Sequence, residues 1–130
     1  MCIRDSQLIV RGICCLIPQL KGLSENIVVR SIVDRFLEHA RVSIFCNNGA
    51  EKMYLASADW MTRNLDRRIE VVFPVYDAAI YQELRGIINL QLADNSKARE
   101  INQAQNNAYI HNDQAQFASQ TAIYHYIKSR

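Results

Sequence analysis

Residues 8–16 (LIVRGICCL) form a nearly continuous apolar run, the pattern of a strand buried on both faces, broken only by Arg11 and Gly12. Residues 27–33 (IVVRSIV) are rich in β-branched side chains and predict a second, short strand. Between them, Pro18 and Gly22 mark residues 18–25 as a loop. Residues 34–39 turn to helical spacing for about one and a half turns, burying Phe36 and Leu37. Two alternating segments, residues 41–46 (RVSIFC) and 52–57 (KMYLAS), flank the turn Asn47-Asn48-Gly49-Ala50 and predict a β-hairpin. Residues 58–66 read as a loop or short helix anchored by Trp60 and Met61. A further strand covers residues 68–75 (RIEVVFPV), ending where Pro74 withdraws a ladder donor. With Asp77 as N-cap, apolar residues at Ile80, Leu84, Ile87, Ile88 and Leu92 predict an amphipathic helix over residues 78–93, covering one face of a sheet. Asp94-Asn95-Ser96 end it. Residues 97–107 are polar and predict a short helix followed by irregular chain, and periodicity is weak over residues 108–120. Residues 121–128 (TAIYHYIK) predict a terminal helix docking Ile123, Tyr124 and Ile127. Strands mixed with covering helices give an α/β domain with a mixed sheet.

Composition narrows this picture without redirecting it. The chain has 130 residues, 49% apolar and 22% charged, which fits one globular domain. A formal charge of +2 is too small to argue for nucleic acid or membrane binding, so an anion preference has to come from local placement of arginines. No run reaches the roughly 18 apolar residues of a membrane span, and the N-terminus lacks a signal-peptide core. Cys2, Cys14, Cys15 and Cys46 show neither metal-ligand nor disulfide-framework spacing, which points to a cytosolic protein with reduced thiols. A buried strand starting so near the N-terminus suggests a piece of a longer protein: an arbitrary leader over residues 1–7 and the domain over residues 8–130.

The candidate chemistry gathers around the hairpin. Side chains alternate along an extended segment, so His39 and Arg41 share one side. The hairpin then returns Ser57, Asp59, Arg63 and Asn64 to the same end. Imidazole, guanidinium and hydroxyl groups at one strand edge suit an oxyanion, above all phosphate. Histidine is also the side chain best matched to proton transfer at neutral pH, which makes His39 the leading candidate of the three histidines. His111 and His125 lack such neighbours and read as structural. Arg11 is either a strand-end cation neutralised by a carboxylate or an anion-binding group. Glu38, Asp59 and Glu70 are available acid/base groups. Asp59 is also suited to hold an arginine or cap a turn, and Glu70 beside Arg67 and Arg68 reads as a solvated partner. No phosphate-cradling glycine loop is present.

The stretches LIVRGICCL, SENIVVRSIVDRFLEHARV, YLASADWMTRNLDRRIEVVFPV, DNSKAR and AIYHYIKS together resemble the C-terminal end of bacterial polyphosphate kinase of the large, histidine-phosphorylated type. The resemblance covers nearly the whole chain. It implies a phospholipase-D-like domain, the second of two, in an enzyme that transfers the terminal phosphate of ATP reversibly to polyphosphate with magnesium. It further implies that Arg11 and His39 contact ATP and that His39 assists the transfer; Arg41 and Arg63 are candidate phosphate-binding residues from their place at the hairpin end, not from the resemblance. The phosphorylated histidine and the groups associated with magnesium would lie outside this chain, so no metal ligand is expected within it. Implied partners are ATP or ADP, polyphosphate and the remaining domains of a homo-oligomeric, cytoplasmic enzyme, with membrane association of the full-length form left open and no nucleic acid. The phospholipase D pattern of His-x-Lys followed by an aspartate is met here only as His39-Ala40-Arg41, with no aspartate at the matching distance, which disfavours a diesterase. A noncatalytic anion-binding or assembly module is the alternative from a different class.

Overall fold

The computed structural model describes residues 5–130, which fall into two compact units: His39–Gly86, and the flanking segments up to Glu38 and from Ile87 to Arg130. Residues 1–4, the greater part of the expected leader and the site of Cys2, lie outside the described residues.

The flanking segments build a mixed three-stranded sheet in the order β1 (Ser6–Ile9), β2 (Ile27–Ile32), β6 (Ala98–Ile101). β1 runs parallel to β2, and β6 antiparallel to it. Val29, Ile32 and Ala98 are its buried apolar positions. The first strand is shorter than the apolar run. Val10 still donates to the Arg30 carbonyl at 2.9 Å, but Gly12 takes a φ of 128°, a conformation that side chains resist. Beyond it Ile13 is 87% exposed and Cys15 is exposed, so residues 10–16 are not a strand buried on both faces.

The helix expected over residues 34–39 does not form, and Phe36 and Leu37 are exposed rather than buried. The Gln120 side chain pairs with both backbone groups of Phe36, accepting from its N–H at 3.0 Å and donating to its carbonyl at 2.7 Å. Those groups are therefore satisfied without a helical turn.

Residues 97–107 also differ from expectation, with β6 in place of a helix. Asp94 decides this. Its Oδ1 accepts from the amides of Ser96, Lys97 and Ala98 at 3.0, 2.7 and 2.9 Å, and its Oδ2 from Ser119 N–H at 2.7 Å. The carboxylate thus closes a turn after the long helix, starts β6 and pins the first residue of α3 (Ser119–Lys128). β6 then folds back through left-handed Gln105 and Asn107 to an isolated bridge between Arg99 and Tyr109. Asn95 completes the joint, exchanging hydrogen bonds with Phe117 and donating to Asn112 and Ala115. α3 begins two residues before the expected start, and Tyr124 and Ile127 are exposed rather than docked.

The middle segment holds an antiparallel sheet in the order β3 (Val42–Phe45), β4 (Lys52–Ala56), β5 (Val72–Pro74). The hairpin forms as its sequence requires, through a 3-10 turn at Asn47–Gly49 whose three residues all have positive φ. β5 begins later than residue 68 and ends at Pro74, as expected. Met53, 1% exposed, is the apolar centre. The short helix α1 (Thr62–Arg67) is anchored by buried Asn64 and not by Trp60 or Met61, which are exposed. α2 (Ala78–Leu92) starts on Asp77, whose Oδ1 accepts from Ala79 and Ile80 N–H at 2.9 Å each.

Asp94 is 1% exposed. Burial pushes its pKa up, but the hydrogen bonds from Ser119, Lys97 and Ala98 outweigh that effect and hold it below the usual value. Because the lowered pKa belongs to the folded state, its stabilisation is complete above the ordinary carboxylate range and is lost as pH falls through the folded value. Asp94→Ala should cost at least about 3 kcal/mol in denaturant unfolding, since several buried amides lose their acceptor. Asp94→Asn should be less stable at neutral pH and should show a flatter loss of stability than the parent as pH falls below about 4. An unchanged acid limb in Asp94→Asn would remove the carboxylate from this role.

Candidate active site

The end of the hairpin brings His39, Arg41 and Asp59 together within the His39–Gly86 unit. Arg41 N–H at Nε donates to Asp59 Oδ1 at 2.8 Å. A second guanidinium nitrogen, Nη2, lies 3.2 Å from His39 Nε2, and Nη1 lies 3.4 Å from the His39 carbonyl. A guanidinium only donates, so this contact uses the Nε2 lone pair and leaves the ring proton on Nδ1. His39 Nε2 is also 3.9 Å from Asp59 Oδ1. The imidazole is 67% exposed, whereas Arg41 and Asp59 are at 26% and 28%. The pair therefore forms a half-buried base on which an accessible ring is oriented.

The register explains the meeting. Val42 pairs with Leu55, and Ala56 N–H donates to the Arg41 carbonyl at 3.0 Å, so the ladder continues past β3 and carries Arg41 toward the residues that follow β4. Asp59 lies eighteen residues after Arg41, which is why no local spacing revealed it. Its role of holding an arginine is the one the structure supports. The hydrogen bond from Arg41 holds the Asp59 carboxyl below its usual range against some desolvation, helped by the charges of Arg41 itself and of Arg63. Arg63 is exposed on α1.

A second carboxylate sits beside this group. Glu70 accepts from the Ser57 hydroxyl and, at 2.8 Å, from Asn64 Nδ2. Ser57 Oγ in turn accepts from Val71 N–H at 3.0 Å. These bonds, the Ser57 one foremost, lower the Glu70 pKa. Glu70 is therefore a tie between β4, α1 and the approach to β5, not a freely solvated partner of Arg67 and Arg68. Glu38 belongs to the other unit and accepts from Gln91 Nε2 at 2.7 Å.

Arg11 also belongs to the other unit. It lines a cleft of about 400 Å³ with Gly12, Ser31, Arg99 and Asn107. No carboxylate lines the cleft, and Arg11 has no ion-pair partner among the described residues. Of the two readings for this arginine, the neutralised strand-end cation is the one without support. Sequence reasoning gave Arg99 no role. Its signal was the alternation of Ala98-Arg99-Glu100, which places a cation on the face opposite buried Ala98. His111 is exposed beside Tyr109, and His125 is exposed on α3 against Tyr124.

Among the described residues, no group of three or more His, Cys, Asp or Glu side chains is placed to hold a metal ion. No helix there is long and apolar enough to cross a membrane.

Residues 5–120 match the family described as polyphosphate kinase C-terminal domain 2. The chain is 51% identical over 123 residues to the polyphosphate kinase of Escherichia coli K12 and 50% identical to that of Klebsiella pneumoniae. In both cases 94% of the chain is covered, but only 18% of the relative. The crystal structure of polyphosphate kinase from Porphyromonas gingivalis superposes with a TM-score of 0.91 at 47% identity, covering 96% of this chain and 19% of that one. The chain thus spans less than a fifth of the proteins it matches.

In Arg41→Gln the Asp59 carboxyl loses its strongest stabilising contact, and its titration midpoint should rise toward the ordinary 3.8. Carbon-13 NMR of the side-chain carboxyl checks this, and an unmoved midpoint would show that Arg41 does not hold Asp59.

Proposed function

Since this chain belongs to the polyphosphate kinase C-terminal domain 2 family, we propose that it works as one domain of an enzyme that reversibly transfers the terminal phosphate of ATP to polyphosphate. The covalent intermediate, a phosphohistidine, belongs to a part of the enzyme outside this chain. This domain contributes nucleotide and phosphate contacts, with His39 and Arg11 as the principal residues. The phospholipase-D-like description of the domain is part of the same proposal. Asp59 supplies a carboxylate beside the His-x-Arg pair that local spacing could not identify, but the cation remains an arginine and is tied up in holding the ring.

The observation that carries this reading is an exposed imidazole whose Nε2 is committed to an anchored arginine. Such a ring keeps its Nδ1 proton out of that contact and does not have to be ordered when substrate arrives. Phosphoryl transfer spreads negative charge over the equatorial oxygens and leaves an oxygen that needs a proton or a hydrogen bond. His39 can donate at Nδ1 as that charge develops. Arg41, with three nitrogens facing protein acceptors, acts mainly as the positioning residue. Arg63 is the accessible cation of the group, suited to an outer phosphate oxygen.

Magnesium, when bound, would neutralise phosphate charge. Among the described residues no group of three or more His, Cys, Asp or Glu is placed to hold it, and Asp59 is paired with Arg41, Glu70 with Ser57 and Asn64.

In the full-length enzyme, His39→Ala and Arg11→Ala should each reduce ATP-dependent polyphosphate synthesis by more than tenfold. Arg41→Ala and Asp59→Ala should have similar effects to each other, with the double variant little worse than either single one, because both act through the same ring. The present chain alone should show no synthesis. Near-normal rates for His39→Ala and Arg11→Ala would remove each residue from its proposed role. Tight binding of polyphosphate by the present chain with full activity of those variants would favour an anion-binding module instead.

A further inference from the structure

The cleft that contains Arg11 is built from three adjacent strands. Arg11 and Gly12 come from the chain just beyond β1, Ser31 from β2 and Arg99 from β6. Ser31 and Arg99 are direct ladder partners, so their side chains stand on one face of the sheet. Two guanidinium groups therefore share one concave surface with no carboxylate among its lining residues. Like charges so placed repel until an anion lies between them, and the field of such a cleft favours a multiply charged one.

Arg99 is fixed in advance. Its guanidinium carbon lies 4.2 Å from the centre of the Tyr109 ring. Nη2 donates to the Tyr109 hydroxyl oxygen at 2.8 Å, and Nη1 to the Asn107 carbonyl at 3.4 Å. Asn107 holds that carbonyl in place from a left-handed conformation, φ 51°. Of five N–H groups on the fork, two are used and the others remain for a ligand. Holding the guanidinium plane before binding avoids the entropy that a free arginine would lose. Neither Arg11 nor Arg99 has an acidic partner among the described residues. The Ser31 hydroxyl adds a further donor at the cleft wall.

We propose that Arg99 and Arg11 together grip a linear chain of phosphoryl groups, the chemistry shared by the tail of a nucleoside triphosphate and by inorganic polyphosphate. Arg99 is then a substrate-binding residue, positioned by Tyr109 and Asn107. The role as substrate site rests on the function proposed above, whereas the anion site itself does not.

Titration calorimetry of the full-length protein with inorganic tripolyphosphate tests it without turnover. Arg99→Gln should weaken binding at least tenfold. Arg99→Lys, which keeps the charge but loses the fork, should weaken it less. Tyr109→Phe, which removes only the hydroxyl that holds Arg99, should weaken it about threefold and serves if Arg99→Gln does not fold. Unchanged affinity in folded Arg99→Gln, or in Tyr109→Phe where the former does not fold, overturns the proposal. Steady-state assays in both directions then identify the source: a raised KM for ATP alone assigns the triphosphate tail, and a raised KM for polyphosphate alone assigns the polymer. A rise in both assigns a shared subsite. Normal KM values with weakened tripolyphosphate binding would keep the anion site but detach it from the proposed function.

Discussion

The Asp94 carboxylate is almost wholly removed from water, yet it keeps its charge because four backbone N–H groups surround it. Those groups come from the turn after α2, the start of β6 and the first residue of α3. A single side chain therefore fixes where three elements meet, in a domain whose buried apolar positions are few. Buried polar residues such as Ser24, Gln91, Asn95 and Ser119 surround the same sheet and its connections. With so little apolar surface enclosed, directional hydrogen bonds carry a larger share of the specification than in an oil-like core. β6 exists as a strand because Asp94 turns the chain, and Arg99 reaches the cleft because β6 is a strand.

The other unit uses the same device at its surface. Asp59 holds Arg41, and Arg41 orients His39, so the exposed imidazole is placed by a chain of polar contacts and not by packing. Glu70, clasped by Ser57 and Asn64, secures the segment from which Asp59 departs. This arrangement leaves the imidazole accessible while restricting its orientation, a combination that apolar burial could not provide.

Sequence reading succeeded where a rule is local. The Asn-Asn-Gly turn with alternating flanks gave the hairpin, the β-branched run gave β2, and Asp77 before a helical stripe gave α2. It failed where a distant partner decides. Nothing near Phe36 shows that Gln120 will take its backbone groups in place of a helix. Trp60, Phe36 and Leu37 were assigned to a core by hydrophobicity, but each is exposed in this chain. The turn at Asp94-Asn95-Ser96 was read from its residues, but the strand after it was not, because β6 is a strand through its pairing with distant β2. Among the candidate residues, His39 and Arg41 stood out through their two-residue spacing, and Arg11 through its place in an apolar run. The bond from Arg41 to Asp59 was weighed only as one option for the aspartate. Arg99 was hidden, since its importance arises from the strand beside it.

The central claim is that His39, held by Arg41 on Asp59, meets a phosphate. The most direct measurement is a structure of the full-length enzyme with a nonhydrolysable ATP analogue. The expected result is a phosphate oxygen about 3 Å from His39 Nδ1, with Arg41 still bonded to Asp59. An imidazole facing solvent, with the phosphates held by other groups, would contradict it.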